Sequence, residues 1–149
     1  MRGEGNLDGL ERFVQAQEGS YARALQEIKN GRKTSHWMWY IFPQLSGLGH
    51  SQTARYYAIR DRAEAAAYMA HPVLGSRLLE ISSELLKLKS SDAREIMGWP
   101  DDLKLKSSMT LFGLVSREPV FRQVLEQYFG GEEDQYTVQA ISRQADVFK

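Results

Sequence analysis

The chain has no cysteine, which excludes disulfides, thiolate metal sites and a cysteine nucleophile. It lacks any stretch near the roughly 18 consecutive apolar residues that a bilayer-spanning helix needs. Its opening, MRGEGNLDGLERF, has no apolar run after Arg2 and so no secretory signal. These absences lead to the expectation of a cytoplasmic protein with no membrane partner. Net charge is also missing, because 19 basic residues balance 19 acidic ones. That balance argues against a general electrostatic grip on nucleic acid, which is not an expected partner. Histidine is scarce, at three. His36, His50 and His71 form no HxxxH or HExxH pair, so no metal site is expected and no cofactor is implied.

What is present is helical periodicity. With 149 residues, 42% of them hydrophobic and 26% charged, the chain fits one domain with an ordinary core. The expected domain is 1–149, with 1–5 as a flexible terminus. Asn6 or Asp8 can cap a first helix with Leu10, Phe13 and Val14 on one face. Tyr21, Ala24, Leu25 and Ile28 form a second stripe, stopped by Asn30-Gly31. Asp61 opens an alanine-rich helix that ends at His71-Pro72. Leu74, Leu78, Ile81, Leu85 and Leu88 make the clearest amphipathic stripe. Asp92 and Glu95 have the spacing of a capping box. Pro100 opens a helix through Leu103, Met109, Phe112 and Val115, and Pro119 opens another that closes at Gly130-Gly131. A last helix carries Val138, Ile141 and Ala145. No internal repeat, heptad array or low-complexity tract interrupts this pattern. The fold expectation is all-α, a single compact domain of seven or eight short helices in an orthogonal or superhelical array.

Positive charge gathers between Ser20 and Arg62, where seven basic residues face two acidic ones. Inside that segment, Thr34 to Gln52 reads TSHWMWYIFPQLSGLGHSQ and holds two of the three tryptophans and two of the three histidines. One reading makes this block a short buried helix that fills the core with large side chains. A sharper reading packs one face and turns His36, Trp39 or Tyr40 and Gln44 toward a cleft. The loop that follows, Ser46-Gly47-Leu48-Gly49-His50-Ser51, could bring backbone amides close to an anion, although it has neither P-loop nor dinucleotide-fingerprint spacing.

A second patch runs from Trp99 to Thr110. Asp101 and Asp102 suit a first helical turn, where carboxylates complement the helix dipole. Lys104, Ser107 and Ser108 lie within one turn, and Lys104 shares a face with Ser108. A Ser–Lys pair can act as nucleophile and base, while a solvated lysine beside a helical serine is the commoner arrangement.

The motifs LERFVQAQ (Leu10–Gln17), HWMWYIFPQ (His36–Gln44), Gly47-Leu48-Gly49, Tyr57-Ala58-Ile59, Glu64-Ala65, HPVLG (His71–Gly75), Arg77-Leu78, DDLK (Asp101–Lys104) and SSMTLF (Ser107–Phe112) carry a resemblance across nearly the whole chain. The chain resembles the bacterial and fungal family known as domain of unknown function family 1810. The resemblance implies a mainly helical fold and no established activity, substrate or cofactor. Members sometimes carry the label calpastatin, and nothing in these residues supports protease inhibition.

The functional expectation is a cleft that binds an anionic, nucleotide-like small molecule, with hydrolase or transferase chemistry as an extension. Trp39 would stack a flat ring, while Gln44, Ser51, Arg55, Lys104 and Ser107 would hold the rest of the ligand. His36 or His50 would be the acid–base group, since histidine titrates near neutrality. The alternative is a non-enzymatic helical interaction module with an exposed apolar or basic surface. A third reading is a weak single-strand nucleic-acid binder, using the interleaved cations and aromatics between Lys29 and Arg62. Whether the chain is an enzyme, and its oligomeric state, are left open by the residues.

Overall fold

A computed structural model describes the backbone of residues 9–147 and the side chains of 9–144. The expected cap at Asn6 or Asp8, the terminus 1–5 and the side chain of Ala145 lie outside the described residues. Within them the fold is all-α. Seven helices have eight residues or more: α1 (Glu11–Glu18), α2 (Tyr21–Lys29), α5 (Arg62–Ala70), α6 (Leu74–Lys87), α8 (Asp101–Val115), α9 (Val120–Phe129) and α10 (Gln135–Val147). Three more are single turns: α3 (Met38–Ile41), α4 (Gln52–Tyr56) and α7 (Ala93–Met97).

The two longest helices organise the rest. α5 and α9 each pack against both α6 and α8, giving a four-helix centre, and α2, α7 and α10 are added around it. The α6 stripe buries Leu74, Leu78, Ile81 and Leu85, while Leu88 falls just past the helix end. α8 is buried on nearly every side, so its apolar residues show little preference for one face. Small side chains, Ser107, Ser108 and Thr110, lie buried along it beside Met109, Leu111 and Phe112. α9 buries Val120, Phe121, Val124, Leu125 and Tyr128 and stops at Gly130, whose φ is 63°. No described helix is long and apolar enough to cross a membrane.

The ends of these helices follow local chemistry. Asp61 caps α5 by accepting from the Glu64 amide at 2.9 Å. At the α5–α6 corner, His71 Nδ1 accepts from the amides of Val73 and Leu74. The capping box of α7 forms in a modified way. Asp92 accepts from the Arg94 and Glu95 amides, but Glu95 does not return to the Asp92 amide. Ser90 stands between, its hydroxyl accepting from Asp92 N and donating to Glu95.

Candidate functional site

The tryptophan-rich segment is held by buried polar residues on α1 and α2. Glu27 lies on the apolar stripe of α2 and accepts from the amides of Thr34 and Ser35, the Ser35 hydroxyl and the Trp37 indole Nε1. Burial alone would push its carboxyl up. The hydrogen bonds outweigh that and hold it at about 2, against an ordinary 4.5. Trp37 is thereby fixed in the core. Gln17 donates to the Tyr40 carbonyl at 2.8 Å and so ties the end of α3 to α1. Arg12 fastens the next segment: Nε reaches the Tyr56 carbonyl, Nη2 reaches that of Ala58, and both Nη groups reach Glu64 at 3.2–3.3 Å. This ion pair is almost fully buried. Leu45 and Ile59 form a lone parallel bridge that closes the segment between them.

Two glycines in that segment have steric reasons of their own. Gly47 has φ 101°, and a Cβ there would sit 2.0 Å from Tyr136 Oη, which donates to the Ser46 carbonyl. A Cβ on Gly49 would come within 2.5 Å of the Ala54 Cβ. The glycines therefore serve close packing of the loop on α4 and α10, and need no phosphate to account for them.

Between this wall and α8 lies an open cleft of about 530 Å³. The loop side contributes Gln44, Leu48, Gly49, His50 and Ser51, with Ala54 from α4. Pro100, Leu103, Lys104, Lys106 and Ser107 form the facing side, and Asp134 closes one end. Asp134 is placed by Thr110 Oγ1, which accepts from its amide, while its carboxylate caps α10 at Thr137. A crevice of about 10 Å³, room for about one water, adjoins the cleft through Gln44, Ala54 and Lys104, and Trp39 lines it. Lys104 Nζ lies 5.5 Å over the Trp39 ring and 3.5 Å from Asp101. The other Asp101 oxygen holds Lys33 at 2.8 Å. Lys106 pairs with Glu132, whose carboxyl it holds below its ordinary range.

Gln44, His50, Ser51, Lys104 and Ser107 thus meet at one cleft, while Trp39 lines only the adjoining crevice, under Lys104. Two expected residues lie elsewhere. His36 is exposed and does not line the cleft, because its neighbour Trp37 takes the inward position against Glu27. Arg55 lines a separate depression with Tyr56 and Arg60. Sequence reading missed Lys106 and Asp134, and also the fasteners Arg12, Gln17 and Glu27. A signal for the fasteners existed, since Gln17 is four residues from Phe13 and Glu27 three from Ala24, polar groups on apolar stripes.

The serines show no nucleophile geometry. Ser51 Oγ accepts from the Ala54 amide as the cap of α4, and Ser107 Oγ donates to the Leu103 carbonyl. The Ser108–Lys104 pairing allowed by sequence does not form: Ser108 is wholly buried with its hydroxyl unpartnered, while Lys104 extends to Asp101 and Trp39. Among the described residues, no three His, Asp or Glu side chains cluster as a metal site.

The same architecture occurs in a solved structure, the conserved hypothetical protein Rv1873 from Mycobacterium tuberculosis. It is 45% identical, with a TM-score of 0.87 over 89% of this chain and 96% of that one. No curated protein matches the chain. A family model described as "Protein of unknown function (DUF1810)" matches residues 7–141, the span that holds both the four-helix centre and the cleft. On that match, this chain belongs to the DUF1810 family.

Proposed function

We propose that this protein binds an anionic, nucleotide-like small molecule in the cleft between the Gln44–Ala54 wall and α8. The observation that carries this reading is the convergence of Lys104, Lys106 and His50 on one open hollow, with Trp39 under Lys104 in the adjoining crevice. The volume falls in the range of roughly 300–1,000 Å³ typical of small-molecule sites. In this reading Lys104, held by Asp101 over the indole, meets phosphate, while Gln44 and the loop backbone set orientation. His50 is the imidazole we assign to proton transfer in a hydrolytic or transfer step, since it lines the cleft and His36 does not.

The test is a melting-temperature screen with nucleotides, phosphorylated metabolites and inorganic phosphate. A ligand at about one hundred times its Kd adds about 2.7 kcal/mol, a rise of roughly 5–10 °C for a chain of this size. The shift should vanish in the Lys104→Ala/Lys106→Ala double variant. Flat melting across the panel, or a shift the double variant retains, overturns the reading.

The interaction-module reading draws on a different observation. Trp99 is 67% exposed and Leu103 51% exposed, beside Pro100 at the cleft rim. Under that reading, Trp99→Ala would abolish a stoichiometric protein complex while leaving small-molecule shifts untouched.

A further inference from the structure

Trp39 lines the small crevice that adjoins the cleft. That ring also lines a second hollow of about 460 Å³ between α3 and α4, shared with Tyr40, Tyr56 and Tyr57. Tyr57 anchors this group, 5.3 Å from the Tyr40 ring and 4.8 Å from the Tyr56 ring, in tilted and edge-on arrangements. Tyr56 itself remains 46% exposed. Past Tyr56 lies a third depression of about 360 Å³, where Arg55 and Arg60 stand. Arg12 reaches it as well, but its guanidinium is engaged by Glu64 and three carbonyls. Arg60 shares Glu64 at 3.6 Å, and Arg55 is exposed with no ion pair among the described residues.

Neighbouring hollows are joined by shared residues, Lys104 and Gln44 first, then Trp39, then Tyr56. The sequence of surfaces is cationic, aromatic, cationic. We infer that this track holds a short single-stranded oligonucleotide, more than one nucleotide unit at a time, an inference that rests on the cleft being a ligand site. Ring faces accept any base by stacking, and cations on either side meet successive phosphates. Each of the two larger hollows has the volume of a small-molecule site. They share no lining residue but meet across the narrow crevice, where Lys104 of the first stands 5.5 Å over the Trp39 ring of the second and can meet an internucleotide phosphate that passes over it. The balanced charge of the whole chain weakens any grip on a long duplex, whereas a short strand needs only the local cations.

Binding of adenosine monophosphate, the dinucleotide ApA and the tetranucleotides A4 and U4 is measured by calorimetry at 50 and 200 mM salt. The tetranucleotides should bind at least about tenfold more tightly than the mononucleotide. Tyr56→Ala should weaken tetranucleotide binding roughly fivefold or more and leave mononucleotide binding unchanged, with Tyr56→Phe restoring it. Arg55→Ala should reduce the salt slope for the tetranucleotides by about 0.7. Equal affinity for one and four nucleotides overturns the track and leaves the cleft reading standing. Tight tetranucleotide binding that Tyr56→Ala and Arg55→Ala both leave intact also overturns it. No binding of any probe overturns the track, and the cleft reading then stands or falls on the melting-temperature panel.

Discussion

The four-helix centre and the cleft wall are built on different principles. The centre, α5, α6, α8 and α9, is held mainly by buried apolar side chains such as Leu78, Ile81, Phe112 and Phe121, with a few hydrogen bonds across it, among them Tyr128 Oη to the Leu85 carbonyl. The wall, from Thr34 to Ile59, contains only two helices of four and five residues, too short to be stable alone. It keeps its shape through bonds from Arg12, Gln17 and Glu27 to its backbone. Packing is non-directional and tolerates exchanges of similar volume. A carbonyl bonded to a buried guanidinium is fixed in both distance and angle. A segment that presents side chains to a cleft gains more from the second kind of support.

The contrast can be tested first where the effects are largest. Phe112→Ala should lower the unfolding free energy by about 4 kcal/mol, measured by urea titration, without altering ligand binding at low temperature. A core substitution that reshaped the cleft would erase the distinction. Arg12→Ala should cost about 3–5 kcal/mol, because it leaves Glu64 buried and the Tyr56 and Ala58 carbonyls unbonded. Unlike Phe112→Ala, it should also change tryptophan fluorescence and weaken ligand binding in molecules that are still folded.

Glu27→Gln should cost about 2 kcal/mol at neutral pH, and its pH dependence sharpens the comparison. The Glu27 carboxyl titrates near 2 in the folded chain, below the ordinary 4.5. A lowered carboxylate stabilises the fold fully above 4.5, and that contribution fades as pH falls toward 2. The difference between wild type and Glu27→Gln should therefore be constant from pH 5 to 7 and shrink from pH 4.5 downward. A pH-independent difference would mean that the carboxylate charge is irrelevant. The smallest effect belongs to Ser51→Ala, which removes the cap of α4 and should cost about 1 kcal/mol. A loss of ligand binding larger than this stability loss would show that the Ser51 hydroxyl also touches ligand.

Much of the frame was readable in the chain. Leu74, Leu78, Ile81 and Leu85 announce α6 by spacing alone, and Asn30-Gly31, His71-Pro72 and Gly130-Gly131 mark boundaries the structure keeps. The wall was less readable. Nothing in its spacing announces α4, and the Leu45–Ile59 bridge pairs residues fourteen apart. Gln44, His50, Ser51, Lys104 and Ser107 could be grouped as candidates, yet Lys106 and Asp134 were left out. Asp134 is held at the cleft by a hydrogen bond from its amide to Thr110, on another helix.

Local preferences, which depend on a few neighbouring residues, determined from the sequence alone that the chain is all-helical and where most of its helices start and stop. Tertiary structure decided which of two adjacent side chains faces inward, as with His36 and Trp37, because that choice follows from the buried acceptor Glu27 nine and ten residues away. It also decided that Arg55 and Lys104 line different hollows, since a single turn of α4 separates their surroundings. Helix periodicity is a short-range property of the chain, whereas a cleft is defined by distances between residues far apart in sequence.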